Sequence, residues 1–311
     1  MMQRVISFCA VLLVLVSRTA AVPHASGPIS TVFVIVMENH DWSQIKDNPL
    51  APYINGTLLP MSSYAEQYFS PAGIHPSLPN YLWLEAGDNF GILNDGLPAV
   101  NHQSTTDHLV TLLENAGLTW TAYQEDITGT ECPLTNVMGY APKHNPMVYF
   151  DDVTDANSPT SAHCIAHIRP YSELETALAN DTVARYNFIT PNLCNDMHDC
   201  GVDVGDAWLA NEVPKILSSA AYRSGGALFL TWDEGAGGSD GPVGFIALSP
   251  FAKGNGYSNS IYYTHSSTLR TVENIFGLSP LLGDAANAAD LSDLFVNLSP
   301  VNESMRAVRI K

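Results

Sequence analysis

Positive charge is what this 311-residue chain has least of: 13 Lys and Arg stand against 31 Asp and Glu, a formal net charge of −18. That balance repels nucleic-acid phosphates and anionic bilayers, so nucleic acid and stable membrane association are excluded as partners. Charge of either sign is sparse, at 14% of residues against a usual level of about a quarter. The surface must lean on Ser, Thr, Asn and Gly, which suits an extracellular or acidic setting. Beyond residue 21 no stretch approaches the roughly 18 unbroken apolar residues of a membrane span. Repeats, low-complexity linkers and charge blocks are also missing, so the chain past its leader reads as one continuous domain.

The leader comprises Arg4, the apolar run Val11 to Val16 and the small residues Thr19, Ala20 and Ala21. This order makes residues 1–21 a secretory signal peptide, leaves 22–311 as the folded domain, and implies a secreted, periplasmic or extracellular location. Cleavage removes two Arg and no acid, leaving 11 basic residues against 31 acidic ones, a charge of −20. An anionic substrate would then need a local positive source, and a divalent metal ion is an economical one. Cysteines are few. Cys9 leaves with the leader, and Cys132, Cys164, Cys194 and Cys200 form an even set in an exported chain, which predicts two disulfides. Three connectivities are open; one pairs neighbours in sequence, Cys132 with Cys164 and Cys194 with Cys200. A zinc site from Cys194, Asp196, His198 and Cys200 is the rival, weakened because thiols oxidise after export. Asn55, Asn180, Asn297 and Asn302 open N-x-S/T sequons, expected on surface loops.

What the chain does contain is a series of apolar strand-like runs. The first, T-V-F-V-I-V-M from Thr31, ends abruptly in Glu38, Asn39 and His40; others run from Leu118 to Tyr123, Tyr186 to Ile189, Ala227 to Trp232 and Val243 to Leu248. Helical spacing separates several of them, in Asp107 to Ala116 and again from Asp206 to Leu217. The alternation predicts a single α/β domain, a mainly parallel central sheet with helices on both faces. Polar clusters follow the strands: Glu38-Asn39-His40, Gln124-Glu125-Asp126, Thr190-Pro191-Asn192 and Asp233-Glu234. Sites of such folds lie outside the carboxyl ends of the strands, so these clusters predict one shared site.

Asp233 and Glu234, followed by a Gly-rich break from Gly235 to Gly244, join Glu38 and Asn39 as four oxygen donors. Crowded carboxylates repel, and a divalent cation is the usual reason for bringing them together. In G-I-H-P-S-L-P-N-Y, residues 73–81, two prolines bracket Ser77 just before a helix-forming stretch, a place suited to a nucleophile, although Pro-Ser-x-Pro is equally a turn. The G-x-S-x-G elbow of acyl hydrolases is absent.

Taken together, M-E-N-H at 37–40, H-P-S-L-P-N-Y-L at 75–82, T-W-D-E-G at 231–235 and Y-T-H-S-S-T-L-R-T-V-E at 263–273 resemble the phosphoesterase family of bacterial and fungal acid phosphatases and phospholipases C. That family is a branch of the alkaline-phosphatase-like superfamily. The motifs occur in order across most of the chain, and jointly they are specific. The resemblance implies that residues 22–311 form a phosphoesterase catalytic domain. It implies one divalent metal held by Glu38, Asn39, Ser77, Asp233 and Glu234, with Ser77 the nucleophile and Asn80 bonded to a phosphoryl oxygen. Among phosphate-contacting histidines it favours His198, then His144, then His265, which precedes a helix cap at Ser266. His75, His102, His108, His163 and His167 receive no role, and His40 reads as a turn residue. The implied activity is that of a metal-dependent acid phosphatase acting on small phosphate monoesters through a phosphoserine. A phospholipase C or phosphodiesterase on the same scaffold is the first alternative, and a non-catalytic secreted metal-binding protein the second. All-oxygen ligation suits Mg, Ca or Mn, whereas a serine alkoxide and an imidazole also suit Zn or Fe.

Overall fold

The computed structural model describes residues 28–298; the expected leader, Cys9 and Asn302 lie outside them. Eight strands form the main sheet: β1 (Thr31–Met37), β2 (Ser63–Ala65), β4 (Trp120–Gln124), β5 (Ile168–Pro170), β6 (Tyr186–Thr190), β7 (Gly226–Trp232), β8 (Phe245–Leu248) and β9 (Tyr257–Asn259). Two short strands, β3 (Tyr68–Phe69) and β10 (Tyr263–Thr264), pair separately. The order across the main sheet is β5-β4-β6-β1-β7-β8-β2-β9. From β5 to β7 every pairing is parallel, and β8 alone runs against its neighbours. The expected mainly parallel α/β domain is what the chain forms.

Every residue of β1, β6 and β7 is buried. That is why β1 and β7 are nearly continuous apolar runs instead of alternating ones: a parallel sheet covered on both faces offers no wet side. The helices Ser77–Ala86, Leu109–Asn115 and His265–Phe276 pack against one another, while Ser172–Ala179 and Val202–Ser218 form a second group. The latter helix starts four residues before Asp206. Asp206 looks like a helix opener in sequence, yet it is buried inside the helix and accepts the Tyr53 and Ile54 N–H groups at 2.9 and 2.8 Å. The last long helix begins at His265 with Thr264 as its cap, not at Ser266.

Both disulfides join neighbours in sequence, Cys132–Cys164 and Cys194–Cys200. The zinc alternative that used Cys194 and Cys200 is thereby overturned, because those sulfurs are bonded to each other. Asn180 and Asn297 are exposed as expected, but Asn55 is not on a free loop. Its amide nitrogen donates to the Ile45 and Ala51 carbonyls, both at 2.9 Å.

Candidate active site

Two neighbouring strand ends build the acidic cluster. Met37 and Trp232 are paired across β1 and β7, so the residues after them leave the sheet side by side. Asp233 N–H donates to the Met37 carbonyl at 3.0 Å, and Asn39 N–H donates to Asp233 Oδ1 at 3.1 Å. Asn39 reaches that carboxylate with a left-handed φ of 46°, a conformation asparagine tolerates better than most residues. His40 completes the turn through a 2.7 Å contact from Nδ1 to the Glu38 carbonyl. Glu38 and Asp233 are fully buried, and Glu234 nearly so.

Ser77 is the first residue of the Ser77–Ala86 helix, and its Oγ donates to Glu38 Oε2 at 3.0 Å. One turn later the Tyr81 hydroxyl donates to Glu38 Oε1. Positions four apart share a helix face, so one face presents both hydroxyls to one carboxylate. Pro76 has no side chain to cap this helix; Asp95 does so instead, accepting the Leu78 N–H at 3.0 Å. Asn80 follows Ser77 by three residues on the same helix. Its Nδ2 donates to the Ile74 and Pro76 carbonyls at 2.8 and 3.2 Å, which ties down the loop before Ser77 and leaves only its oxygen unpartnered.

A second group arrives from loops. His144 lies with Nε2 3.2 Å from Glu38 Oε2 and Nδ1 3.2 Å from Asp196 Oδ2, stacked on Tyr81. Next to it, Lys143 Nζ is 3.1 Å from both Asp95 Oδ2 and His198 Nε2. His198 is partly exposed and its Nδ1 meets Asp199 Oδ1 at 2.7 Å. The Cys194–Cys200 bridge closes the loop that carries Asp196 and His198. On the other side His75 Nδ1 contacts Glu234 Oε2 at 2.5 Å. His265, by contrast, stands behind the cluster. Its ring is fully buried, with Nε2 2.6 Å from the Asp233 carbonyl and Nδ1 3.0 Å from the Tyr68 hydroxyl. Both nitrogens are used inside the protein, so this histidine supports the strand end and presents nothing to a substrate.

The expectation of one site lined by four strand-end clusters needs correction too. Glu125 accepts the Asn192 N–H, the Asn195 amide and the Trp208 indole N–H at 2.7–2.9 Å, and Thr190 Oγ1 donates to the His144 carbonyl at 3.1 Å. The ends of β4 and β6 therefore hold the loops that deliver His144 and Asp196, while β1 and β7 supply the cluster. Lys143, Asp95, Asp196, Tyr81 and His75 are members that sequence reasoning missed. Tyr81 was legible from its spacing to Ser77, and Lys143 from its adjacency to His144; Asp95 and Asp196 carry no local signal.

Electrostatics separates the acids. Burial pushes Asp233 well above the carboxylate range, and the charges of Glu38 and Glu234 push the same way. Burial also raises Glu234, although His75 opposes it. Glu38 goes the other way: burial favours its neutral form, but His144, Tyr81 and Lys143 outweigh burial and hold it ionised. Burial likewise works against a charge on His144, and Glu38 and Asp196 overcome it, lifting the imidazole to about 10. Asn39 Oδ1, Asn80 Oδ1 and Asp233 Oδ2 are buried without a protein donor. Unpartnered buried oxygens beside mutually repelling carboxylates fit a divalent cation, which would relieve both costs. Glu38, His144 and His198 also present ligand atoms within 4.8 Å of one another, so imidazole donors reach the same place.

Residues 60–279 match the Phosphoesterase family. A phosphatidylinositol-3-phosphatase from Mycobacterium tuberculosis is 31% identical over 264 residues, covering 85% of this chain and 82% of that protein. An acid phosphatase from Aspergillus fumigatus is 29% identical over 233 residues, covering 72% of this chain but 50% of its own length, so this chain spans about half of that fungal relative. Among solved structures, a protein in the alkaline phosphatase superfamily from Vibrio parahaemolyticus aligns with a TM-score of 0.57 at 11% identity, covering 86% of this chain and 72% of the other. The phosphonate monoester hydrolase of Agrobacterium radiobacter aligns with a TM-score of 0.54 at 11% identity, over 88% and 78%. These structural likenesses speak to the fold alone. With the family match spanning more than half of the chain and the sequence relatives agreeing with it, this chain belongs to the Phosphoesterase family and is a phosphoric ester hydrolase.

Proposed function

We propose that the chain is an exported, metal-dependent phosphomonoesterase that transfers the phosphoryl group to Ser77 and then to water. The observation that carries this reading is Ser77 itself: a buried hydroxyl at the start of a helix, 3.0 Å from a carboxylate held ionised, beside buried oxygens that lack donors. Glu38, Asn39, Asp233 and Glu234 would hold the cation together with Ser77 Oγ. Bound there, a divalent ion supplies Lewis-acid charge and lowers the proton affinity of the serine hydroxyl.

The protein's own residues do the rest. Ser77 Oγ gives up its proton to solvent and forms a bond to phosphorus as the ester oxygen leaves with its electron pair and takes up a proton from solvent. Water then cleaves the phosphoserine, releasing inorganic phosphate and restoring the hydroxyl. Lys143 supplies the positive charge, with His198 beside it, on the edge that faces the phosphoryl oxygens, where positioning and charge neutralisation carry most of the catalysis. His144, clamped between Glu38 and Asp196, orients Glu38. Asn80 reaches a phosphoryl oxygen only by releasing its 3.2 Å bond to the Pro76 carbonyl, so its main task is holding the loop before Ser77.

Monoester substrates are favoured because a dianionic phosphate matches a lysine, a histidine and a cation in one place. The two sequence relatives are named as phosphatases and support the same reading. Two disulfides support export. The test is turnover of p-nitrophenyl phosphate and of its phosphorylcholine ester by wild type and Ser77→Ala, with and without chelator. The expected result is monoester hydrolysis that chelation abolishes and Ser77→Ala lowers by at least about 1000-fold. Substantial turnover by Ser77→Ala would sink the nucleophile. Faster diester hydrolysis would move the activity to the phosphodiesterase alternative, and no hydrolysis of either by metal-loaded protein would favour a non-catalytic metal binder.

A further inference from the structure

The helix Ala162–His167 carries two histidines one turn apart, at the end of the sheet opposite the active site. His163 and His167 face Glu114, and the three residues present ligand atoms that all lie within 4.8 Å of one another. His163 Nε2 is 2.7 Å from Glu114 Oε1, and His167 Nε2 is 3.9 Å from the same oxygen. The other nitrogen of each ring is committed: His163 Nδ1 lies 3.1 Å from the Asp152 carbonyl and His167 Nδ1 lies 3.0 Å from the Trp120 carbonyl. A carbonyl only accepts, so each Nδ1 carries a proton and each ring turns its Nε2 toward Glu114. A lone pair 2.7 Å from a carboxylate oxygen is repulsive unless a cation lies between them.

That cation is either a second proton or a metal ion, and the surroundings are organised for the metal. Backbone carbonyls holding Nδ1 are the outer partners that fix tautomer and orientation in histidine metal sites. The Trp120 ring stacks on His167 at 4.5 Å, and its indole N–H donates to Glu114 Oε1 at 2.7 Å, which orients the carboxylate. Cys164, between the two histidines in sequence, is locked to Cys132, so the short helix cannot drift from its place. All three ligand side chains retain solvent access, leaving room for a water as fourth ligand.

We infer that Glu114, His163 and His167 form a second metal site, distinct from the catalytic cluster, that takes a borderline divalent cation of the Zn2+ class. Two imidazoles and one carboxylate with an open position are a donor set matched to Zn2+, and poorly matched to Mg2+ or Ca2+. Trp120 starts β4 and His167 immediately precedes β5, so a cation there would pin the edge of the sheet to the Leu109–Asn115 helix.

The test is Zn2+ binding to metal-stripped full chain at pH 7.5, followed by titration calorimetry, in wild type and in the His163→Ala/His167→Ala double variant. Wild type should bind one more Zn2+ per chain than the double variant. Zn2+ should raise the melting temperature of wild type by more than it raises that of the variant. Phosphatase turnover at saturating catalytic metal should be the same in both, which separates this site from the catalytic one. Glu114→Gln, which changes one exposed side chain, should weaken the extra site by at least about 10-fold and serves if the double variant fails to fold. Equal stoichiometry and affinity in wild type and variants would overturn the proposal and leave a proton as the cation between His163 and Glu114. Loss of phosphatase turnover in the folded double variant would also overturn it, by making this cluster part of the catalytic machinery.

Discussion

Replacing His108 by glutamine should cost about 3–5 kcal/mol at pH 6 and remove a pH dependence that wild type carries into the alkaline range. His108 is fully buried beneath the helix that bears Ser77. Its Nδ1 lies 3.1 Å from Glu85 Oε1 and its Nε2 3.0 Å from Asp152 Oδ1, with the ring stacked on Phe150 at 3.8 Å. A carboxylate at each nitrogen requires a proton on each, so the folded state holds an imidazolium. Burial opposes that charge, but Asp152 and Glu85 outweigh burial and raise the group from 6.5 to about 9. Because the folded value is raised, the contribution is complete below about 6.5 and is lost as pH climbs through about 9. At about 1.4 kcal/mol per tenfold change, the displacement amounts to about 3 kcal/mol. Glu85 is 1% exposed, and without His108 it keeps only the Val110 N–H at 2.8 Å, which leaves a buried carboxylate without its cation. Urea unfolding of wild type and His108→Gln at pH 6, 7.5 and 9.5, disulfides intact and metal constant, measures the gap. His144, lifted to about 10 by Glu38 and Asp196, affects both proteins alike and cancels in the difference. A gap below about 1 kcal/mol at pH 6, or one that does not narrow by pH 9.5, would refute the buried imidazolium.

Lys143→Ala should lower kcat/KM for p-nitrophenyl phosphate by about 100-fold, equivalent to about 2.7 kcal/mol of transition-state stabilisation, while the melting temperature changes little. Lys143→Arg should recover part of the loss, and an unaffected Lys143→Ala would remove Lys143 from the phosphoryl site. Stripped of divalent cations, the protein should lose stability as pH rises above the ordinary carboxylate range. Asp233 and Glu234 are both raised by burial and neighbouring charge, so the fold favours their protonated forms and pays as they ionise. A bound cation should flatten that slope in a thermal scan, and an apo profile that stays level would argue against crowded carboxylates at this strand end.

The pair of strand ends was legible because two separate signals agree at each: an apolar run that stops, and oxygen donors placed where it stops. Ser77 was legible because prolines bracket it ahead of a helical stretch. The way the loop residues meet Glu38 was not. Lys143, His144 and Asp196 lie in loops whose course depends on Glu125 gripping Asn192 and Asn195, and on the Cys194–Cys200 bridge. Glu125 itself looked like a site residue, since nothing local distinguishes a carboxylate that binds a ligand from one that ties a loop. His265 misled in the same way. Its surroundings in sequence, a helix start rich in Ser and Thr, match a site histidine, yet its ring ends beneath the Asp233 carbonyl, where burial drives it down to about 4 and keeps it neutral.

By itself the sequence determined the parallel sheet, the presence of two disulfides and the two halves of the acidic cluster, because each depends on short-range pattern: strand hydrophobicity, an even cysteine count, residues abutting a strand end. Only the tertiary structure decided which positive groups stand opposite those acids. Lys143, His144 and His198 gather beside Glu38 through distance and burial, quantities that a chain acquires only when loops far apart in sequence are packed onto the same end of the sheet.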